Sequence, residues 1–461
     1  MLDILFQNAR IVFPGDGVVP GAVGVKDGRI AAILAPGETE AAAEVIDCGE
    51  QFLMPGLIDP HTHFGFGSNE TDFRTESRSA ALGGVTMAFT FHRSPDLRES
   101  TGPWRDRGNE QSCIDFAFHY GLTSQLHVET LKECAETFGV NSFKFYLMYK
   151  GEAGAAKGFT EIDDALLFST MQQVARIKGG VLGAHCENVE VIRALRPPVK
   201  AAGRDDLKAW DDQSPDYLEA ENVFRVGYFA DKAECRANIV HLSSREGLEV
   251  TDYLRSKPRS APLHVETCTH YLFMTTDWPA PVGKVNPPLR SQRDVDALWQ
   301  AVVDGRIETV GSDHVPRKRA TKGPDIWTAT AGFPGIATVL PILITEGYHH
   351  RRVPIERIAA VTSANVARQY NVPNKGRIAP GMDADLVLVD PDCERVVDPA
   401  TLESFSDYST YEGMPLKGWP TGTWVRGRRV VADGAVLADV AAAPGGRFVP
   451  RWGDLAARPA N

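Results

Sequence analysis

Four histidines, a lysine and an aspartate stand at intervals along the middle of the chain, each in or at the end of a short apolar run. His61 and His63 close GLIDPHTHF, Lys144 lies in SFKFYLMYKG, His185 falls in GGVLGAHCEN, His241 in ANIVHLSS and Asp313 in ETVGSDHVP. Imidazole and carboxylate together suit Zn2+ and its neighbours. One histidine on a strand is ordinarily structural, and an HxH pair alone decides little. Packing gives no reason for four histidines and an aspartate gathered at the ends of four strands, so a metal site is the reading. The two-residue spacing of His61 and His63 turns both imidazoles to one side of a strand.

Lys144 poses a separate question, because Phe143, Phe145, Tyr146, Leu147, Met148 and Tyr149 crowd around it. An ammonium group in such surroundings is costly unless something neutralises it. It can snorkel to solvent or pair with an acid. Facing a pair of metals it has a third option, to react as the neutral amine with CO2. The product is a carbamate, an anionic oxygen ligand able to bridge two metals. Desolvation and nearby cations favour the neutral amine that this needs.

Eight apolar runs position these groups: 56–64, 84–91, 115–122, 142–149, 179–188, 237–244, 262–270 and 308–316. Helix-like segments such as DDALLFSTMQQVARIKG lie between them. Strands alternating with helices predict a parallel sheet, and eight of them predict a (β/α)8 TIM barrel, with its chemistry at the C-terminal strand ends. Both chain ends have another texture, of short strands separated by Gly/Asp turns. The expected architecture is therefore α/β, with residues 1–52 and 373–461 (including a C-terminal tail) joined in one small β-sandwich, and 53–372 forming the barrel. The proline- and charge-rich stretch 196–216 is expected to be an insertion loop, and RKRATK at 317–322 a solvated one.

Bulk properties narrow the partners. Acidic residues outnumber basic ones, 60 against 49, and no long basic block appears, so neither nucleic acid nor an anionic membrane is an expected partner. No apolar stretch is long enough to span a bilayer, and the opening residues lack the pattern of a signal peptide. Seven scattered cysteines without a CxxC pair read as reduced thiols of a cytoplasmic protein.

The motifs GLIDPHTHF, SFKFYLMYKG, GAHCEN, IVHLSS, NPPLR and GSDHVP, in this order, resemble the cyclic amidohydrolases of the amidohydrolase superfamily: dihydropyrimidinase, hydantoinase, allantoinase and dihydroorotase. The resemblance spans nearly the whole chain. It implies a centre of two divalent metal ions, usually zinc, with His61, His63 and Asp313 on one and His185 and His241 on the other. Lys144, carboxylated by CO2, would bridge them together with a hydroxide. It also implies that Asp313 shuttles the proton, that Tyr149 donates to the developing oxyanion, and that the relatives' habit of forming homo-oligomers, tetramers or dimers, extends to this chain. The substrate would be a small cyclic amide or imide, opened at a ring C–N bond as in the hydantoinase/dihydropyrimidinase type.

Some positions depart from the relatives. No arginine follows His63, which weakens a dihydroorotase-type reading. Asn286 stands where hydantoinases have serine, and the AGFPG stretch around Gly332 replaces their NGLPG. These positions, with His92 and Arg93 at the end of the second strand, are the expected substrate contacts, and Arg93 is suited to a carboxylate or an imide oxygen. An allantoinase- or dihydroorotase-type hydrolase is the alternative. A non-catalytic dihydropyrimidinase-like structural protein is disfavoured because all six ligand positions are filled. Lys144 argues against a mononuclear deaminase-type barrel.

Overall fold

The structure is a computed structural model describing residues 1–155, 158–159 and 162–451; the expected C-terminal tail, 452–461, lies outside the described residues. Each of the eight apolar runs contains a strand: β1 (Leu57–Thr62), β2 (Val85–His92), β3 (Asp115–Gly121), β4 (Ser142–Tyr146), β5 (Val181–His185), β6 (Ala237–Ile239), β7 (Leu263–Cys268) and β8 (Thr309–Gly311). Neighbours pair in parallel from β1 to β8. The ring is completed by a bridge between Thr62 and His314, where the His63 amide donates to the His314 carbonyl at 2.9 Å. Strands covered on both faces lose the polar/apolar alternation of half-exposed ones. In β2, VTMAFTFH, every position is buried, which is why these segments read as continuous apolar runs.

Helices pack around the barrel: α1 (Asp72–Leu82), α2 (Leu97–Gln111), α3 (Gln125–Phe138), α4 (Asp164–Ala175), α5 (Asp216–Lys232), α6 (Arg245–Arg255) and α7 (Gln292–Asp304). Local chemistry sets their ends. Before α7 the Ser291 amide donates to Asp294 at 3.2 Å, and Gly305, with φ of 85°, closes the helix in a left-handed conformation that L side chains resist. The stretch 196–216 is not simply a loop. A helix at Val189–Ala201 runs through Pro197 and Pro198, and a short one follows at Leu207–Asp212. Asn188 caps the first by accepting from the Val191 amide at 3.2 Å, and the prolines fall late enough that its opening turns keep their hydrogen bonds.

The two chain ends do join, as one nine-stranded sheet. Its seam is the antiparallel pairing of Phe52–Pro55 with Leu386–Val389. The sheet has a core of its own, including Phe6, Ile11, Val23, Leu53, Leu386 and Trp424, with Phe6 edge-on to Trp424 at 4.9 Å.

An ion cluster ties this sheet to the barrel. Lys375 is buried, with Nζ at 2.7 Å from Asp115, 3.1 Å from Asp383 and 2.5 Å from Asp385. Asp115 begins β3, so the cluster lies at the end of the barrel away from the histidines. Removing one member of a buried charge group strands the others. Replacing Lys375 by methionine should therefore lower unfolding free energy by about 3–5 kcal/mol, read from guanidinium titrations. A loss below about 1 kcal/mol, the range of exposed pairs, would show that the cluster does not hold the two parts together.

Candidate active site

The ends of the barrel strands bring the sequence-selected groups together. His61 Nδ1 lies 2.6 Å from Glu266 Oε1, which turns its Nε2 towards Asp313, 3.2 Å from Oδ1. His63 Nε2 reaches the same carboxylate oxygen at 3.0 Å. His61, His63 and Asp313 each offer one ligand atom, and these atoms lie within 4.8 Å of one another. The second group adjoins the first. The His241 ring is 5.2 Å from His61 and 4.4 Å from His185, and Lys144 Nζ is 3.3 Å from His241 Nε2. Phe91 forms a wall under both groups, stacked on His63 at 5.0 Å and 4.9 Å from the Lys144 ammonium.

The donor set fits divalent cations. The Nε2 atoms of His61 and His63 converge on one oxygen of Asp313, and Nδ1 of His63 and Nδ1 of His241 are buried without a hydrogen-bond partner, so both rings present Nε2 to the centre as a lone-pair donor for a cation. Lys144 is buried, and no carboxylate among the described residues lies within ion-pair distance of it. Burial lowers its pKa to about 8, against the pull of Asp313 and Glu266, so roughly a tenth to a fifth of it is the neutral amine near physiological pH, far more than for an exposed lysine. Burial likewise drives His63 down to about 4. For His61, burial and Lys144 push downward, but Asp313 and Glu266 prevail and raise it. Burial disfavours the charged form of Asp313, yet the two histidines outweigh it and hold the carboxyl well below its usual range.

Backbone conformation contributes too. His241 and Asp313 both lie in the left-handed region, at φ of 43° and 48°. Non-glycine residues pay for this conformation and keep it where the surroundings over-determine it, commonly at functional sites.

Three acidic residues that the sequence reading passed over support the histidines. Glu266, in β7, holds His61; Glu187 lies 2.6 Å from His185 Nε2 and accepts from Ser214 at 2.7 Å; Asp59 accepts from the amides of His61 at 3.0 Å and Ser312 at 3.2 Å. A carboxylate on the far nitrogen fixes a histidine's tautomer and orientation for metal binding. Glu266→Gln should weaken metal retention by roughly 10–100-fold, measured by chelator competition. Unchanged retention would reduce Glu266 to a packing role.

The pocket above these groups is lined by Tyr149, Asn286, Gly332, Arg93 and Arg317 as well as the histidines. Asn286 Oδ1 accepts from the Trp210 indole at 3.1 Å. Gly332, at φ of 90°, gives its amide to Lys284 O at 3.0 Å and receives Lys322 Nζ on its carbonyl at 2.7 Å. Burial raises the Tyr149 phenol, keeping it protonated and able to donate. His92 and Arg93 part company. Arg93 lines the pocket and Phe91 stacks on His63, whereas His92, on the other side of β2, lies 2.8 Å from Ser100 Oγ and against Trp104 in an adjoining groove that Phe91 and Arg93 also border. The stretch 317–322 is not a solvated loop throughout. Lys322 is buried, its ammonium satisfied by the carbonyls of Lys284, Thr330 and Gly332, and Arg317 reaches the pocket.

Residues 207–430 match the model of the amidohydrolase family. The chain is 33% identical to an L-hydantoinase of Paenarthrobacter aurescens, with 98% of each chain covered. It is 34% identical to an allantoinase of Rubrobacter xylanophilus over 97% of each. Among solved structures it resembles an L-hydantoinase (dihydropyrimidinase) from Arthrobacter aurescens, with a TM-score of 0.89 and 32% identity over 98% of this chain and 100% of that one. Likeness of this extent, over a barrel whose strand ends gather the residues described above, places the chain in the cyclic amidohydrolase family of the hydantoinases and allantoinases.

Proposed function

We propose that this protein is a hydrolase that opens a ring C–N bond of a small cyclic amide or imide, of hydantoinase/dihydropyrimidinase type. The observation that carries the reading is the convergence of four imidazoles, one carboxylate and an uncompensated buried lysine in a chain alignable with hydantoinases from end to end. Two divalent metals, zinc by the chemistry of the ligands, would be held by His61, His63 and Asp313 on one side and His185 and His241 on the other. Lys144, carboxylated by CO2, would stand between them. Such a pair supplies Lewis acidity and a water made acidic at neutral pH.

The chain's own residues do the rest. Asp313 accepts the proton of the attacking water and returns it to the departing ring nitrogen, as base and then acid. The Tyr149 hydroxyl donates to the carbonyl oxygen as charge develops there. Asn286 and the backbone at Gly332 position the ring, and Phe91 backs His63 and Lys144. The same machinery fits allantoin, and the similarity to an allantoinase supports that as the second reading.

Family kinship also supports a homo-oligomer of two or four copies. Seven free cysteines, six of them buried, support a reducing cytoplasm. Among the described residues, no helix is long and apolar enough to cross a membrane. The test is a hydrolysis screen of metal-replete enzyme on hydantoins, dihydrouracils, allantoin, dihydroorotate and simple imides, with a chelator arm. We expect at least one ring to be opened and the chelator to stop it. No turnover on any ring, or turnover indifferent to the chelator, would overturn the reading.

A further inference from the structure

Two guanidinium groups line the pocket with no anionic partner among the described residues. Arg93 leaves the end of β2, and Arg317 follows Asp313 by four residues on the loop after β8. Both line the pocket that holds His61, His63 and Lys144. Both lie against one ring, that of Phe66, with Cζ at 4.9 Å for Arg93 and 5.9 Å for Arg317. Phe66 in turn packs on His63 at 5.1 Å, so the guanidiniums are one ring away from the catalytic groups.

Neither side chain makes an ion pair or a hydrogen bond with any described residue. Nε of Arg317 is buried and unpartnered, and burial lowers the pKa of that group. Arg290, buried elsewhere in the barrel, shows the usual solution, a 2.6 Å pair with Asp211. A guanidinium carries five N–H donors and no acceptor, so a desolvated one without an anion is costly. Stacking on Phe66, and for Arg93 also on Tyr146 at 5.7 Å and Phe159 at 5.3 Å, orients the planes but leaves those donors unused.

We propose that Arg93 and Arg317 form an anion clamp, and that the preferred substrate is a cyclic amide or imide bearing a carboxylate substituent. The inference rests on the ring-hydrolase reading above and narrows its substrate class. The ring itself is neutral, so the charge must come from a substituent, and the two oxygens of a carboxylate match the fork of a guanidinium. The clamp joins two loops that follow different strands, so it fixes which way round the ring enters as well as which ring binds.

The test compares two substrates of the same shape, a hydantoin with a carboxyethyl group on its ring carbon and the corresponding primary amide. The native enzyme should favour the acid in kcat/KM by roughly 10–100-fold at low salt, the range of one or two charged hydrogen bonds. Arg93→Met and Arg317→Met should each cut that ratio by roughly tenfold, mainly through KM, with metal content retained. Arg317→Lys, which keeps the charge without the fork, should recover part of the ratio. A native enzyme that opens the amide as fast as the acid overturns the clamp, as does a preference that survives both methionine variants. If plain hydantoin is opened and the acid is not, the clamp falls and ring hydrolysis stands. If metal-replete enzyme opens none of these rings, both fall together.

Discussion

Asp313→Asn should lower kcat by roughly 100-fold or more, the scale of a positioned general base, while leaving KM nearly unchanged. Asparagine keeps the shape and one oxygen able to face His61 and His63, but it cannot take a proton. In the native site one carboxylate oxygen lies 3.0 Å from His63 and 3.2 Å from His61. Those histidines hold the acid well below its usual range in spite of burial. A depressed pKa means the group stays ionised through the neutral range, so it is ready to act as a base and contributes no acid limb there. Elemental analysis of the variant separates proton transfer from ligation. Lost turnover with full metal content supports the shuttle, and lost turnover with lost metal assigns Asp313 to ligation. A variant with kcat within about threefold of native would remove Asp313 from the chemistry, since such a change is under 1 kcal/mol of barrier.

The barrel was legible because strands buried on both faces carry no polar alternation, so each appears as an apolar run in which the few charged or imidazole side chains stand out. His185 and Asp313 were found in this way. Glu266 was equally visible, inside PLHVETCTH, but was not selected. Like Lys144, it is a charged side chain inside a buried strand. The division of Phe91, His92 and Arg93 between two faces depends on strand parity. Parity follows once Phe91 is assigned to the histidine side, which the sequence does not state. The terminal sheet was legible only as texture, because the pairing of Phe52–Pro55 with Leu386–Val389 joins segments more than three hundred residues apart. The positive φ angles of His241 and Asp313 left no mark, since neither residue type demands them. Arg317 was passed over for a physical reason too. A run of basic residues ordinarily faces solvent, and only the closing of the loop after β8 over the pocket brings this one inward.

Lys144→Ala should remove the second metal and lower kcat by roughly 1,000-fold or more, several kcal/mol of lost charge stabilisation at 1.36 kcal/mol per decade. Lys144 explains itself poorly as a cation. It is buried beside His241 at 3.3 Å, over the Phe91 ring, with no acid in ion-pair reach among the described residues. As a carbamate it would exchange that positive charge for a negative one facing four imidazoles. Formation needs the neutral amine, and burial has brought the pKa to about 8. A lowered lysine pKa means that the reactive fraction grows as pH rises through that value. Metal-free enzyme reconstituted with zinc and carbon-13 bicarbonate should therefore take up label, and regain activity, faster at about pH 8.5 than at about pH 6.5. The label should appear as one added CO2 per chain by mass spectrometry under native conditions, and Lys144→Ala should show none. Glutamate at this position offers carboxylate oxygens on a shorter stem, so Lys144→Glu should keep more metal than the alanine variant without full turnover. An alanine variant that holds both metals and turns over normally would end the bridging role. So would a fully active, metal-loaded native enzyme whose Lys144 carries no added CO2.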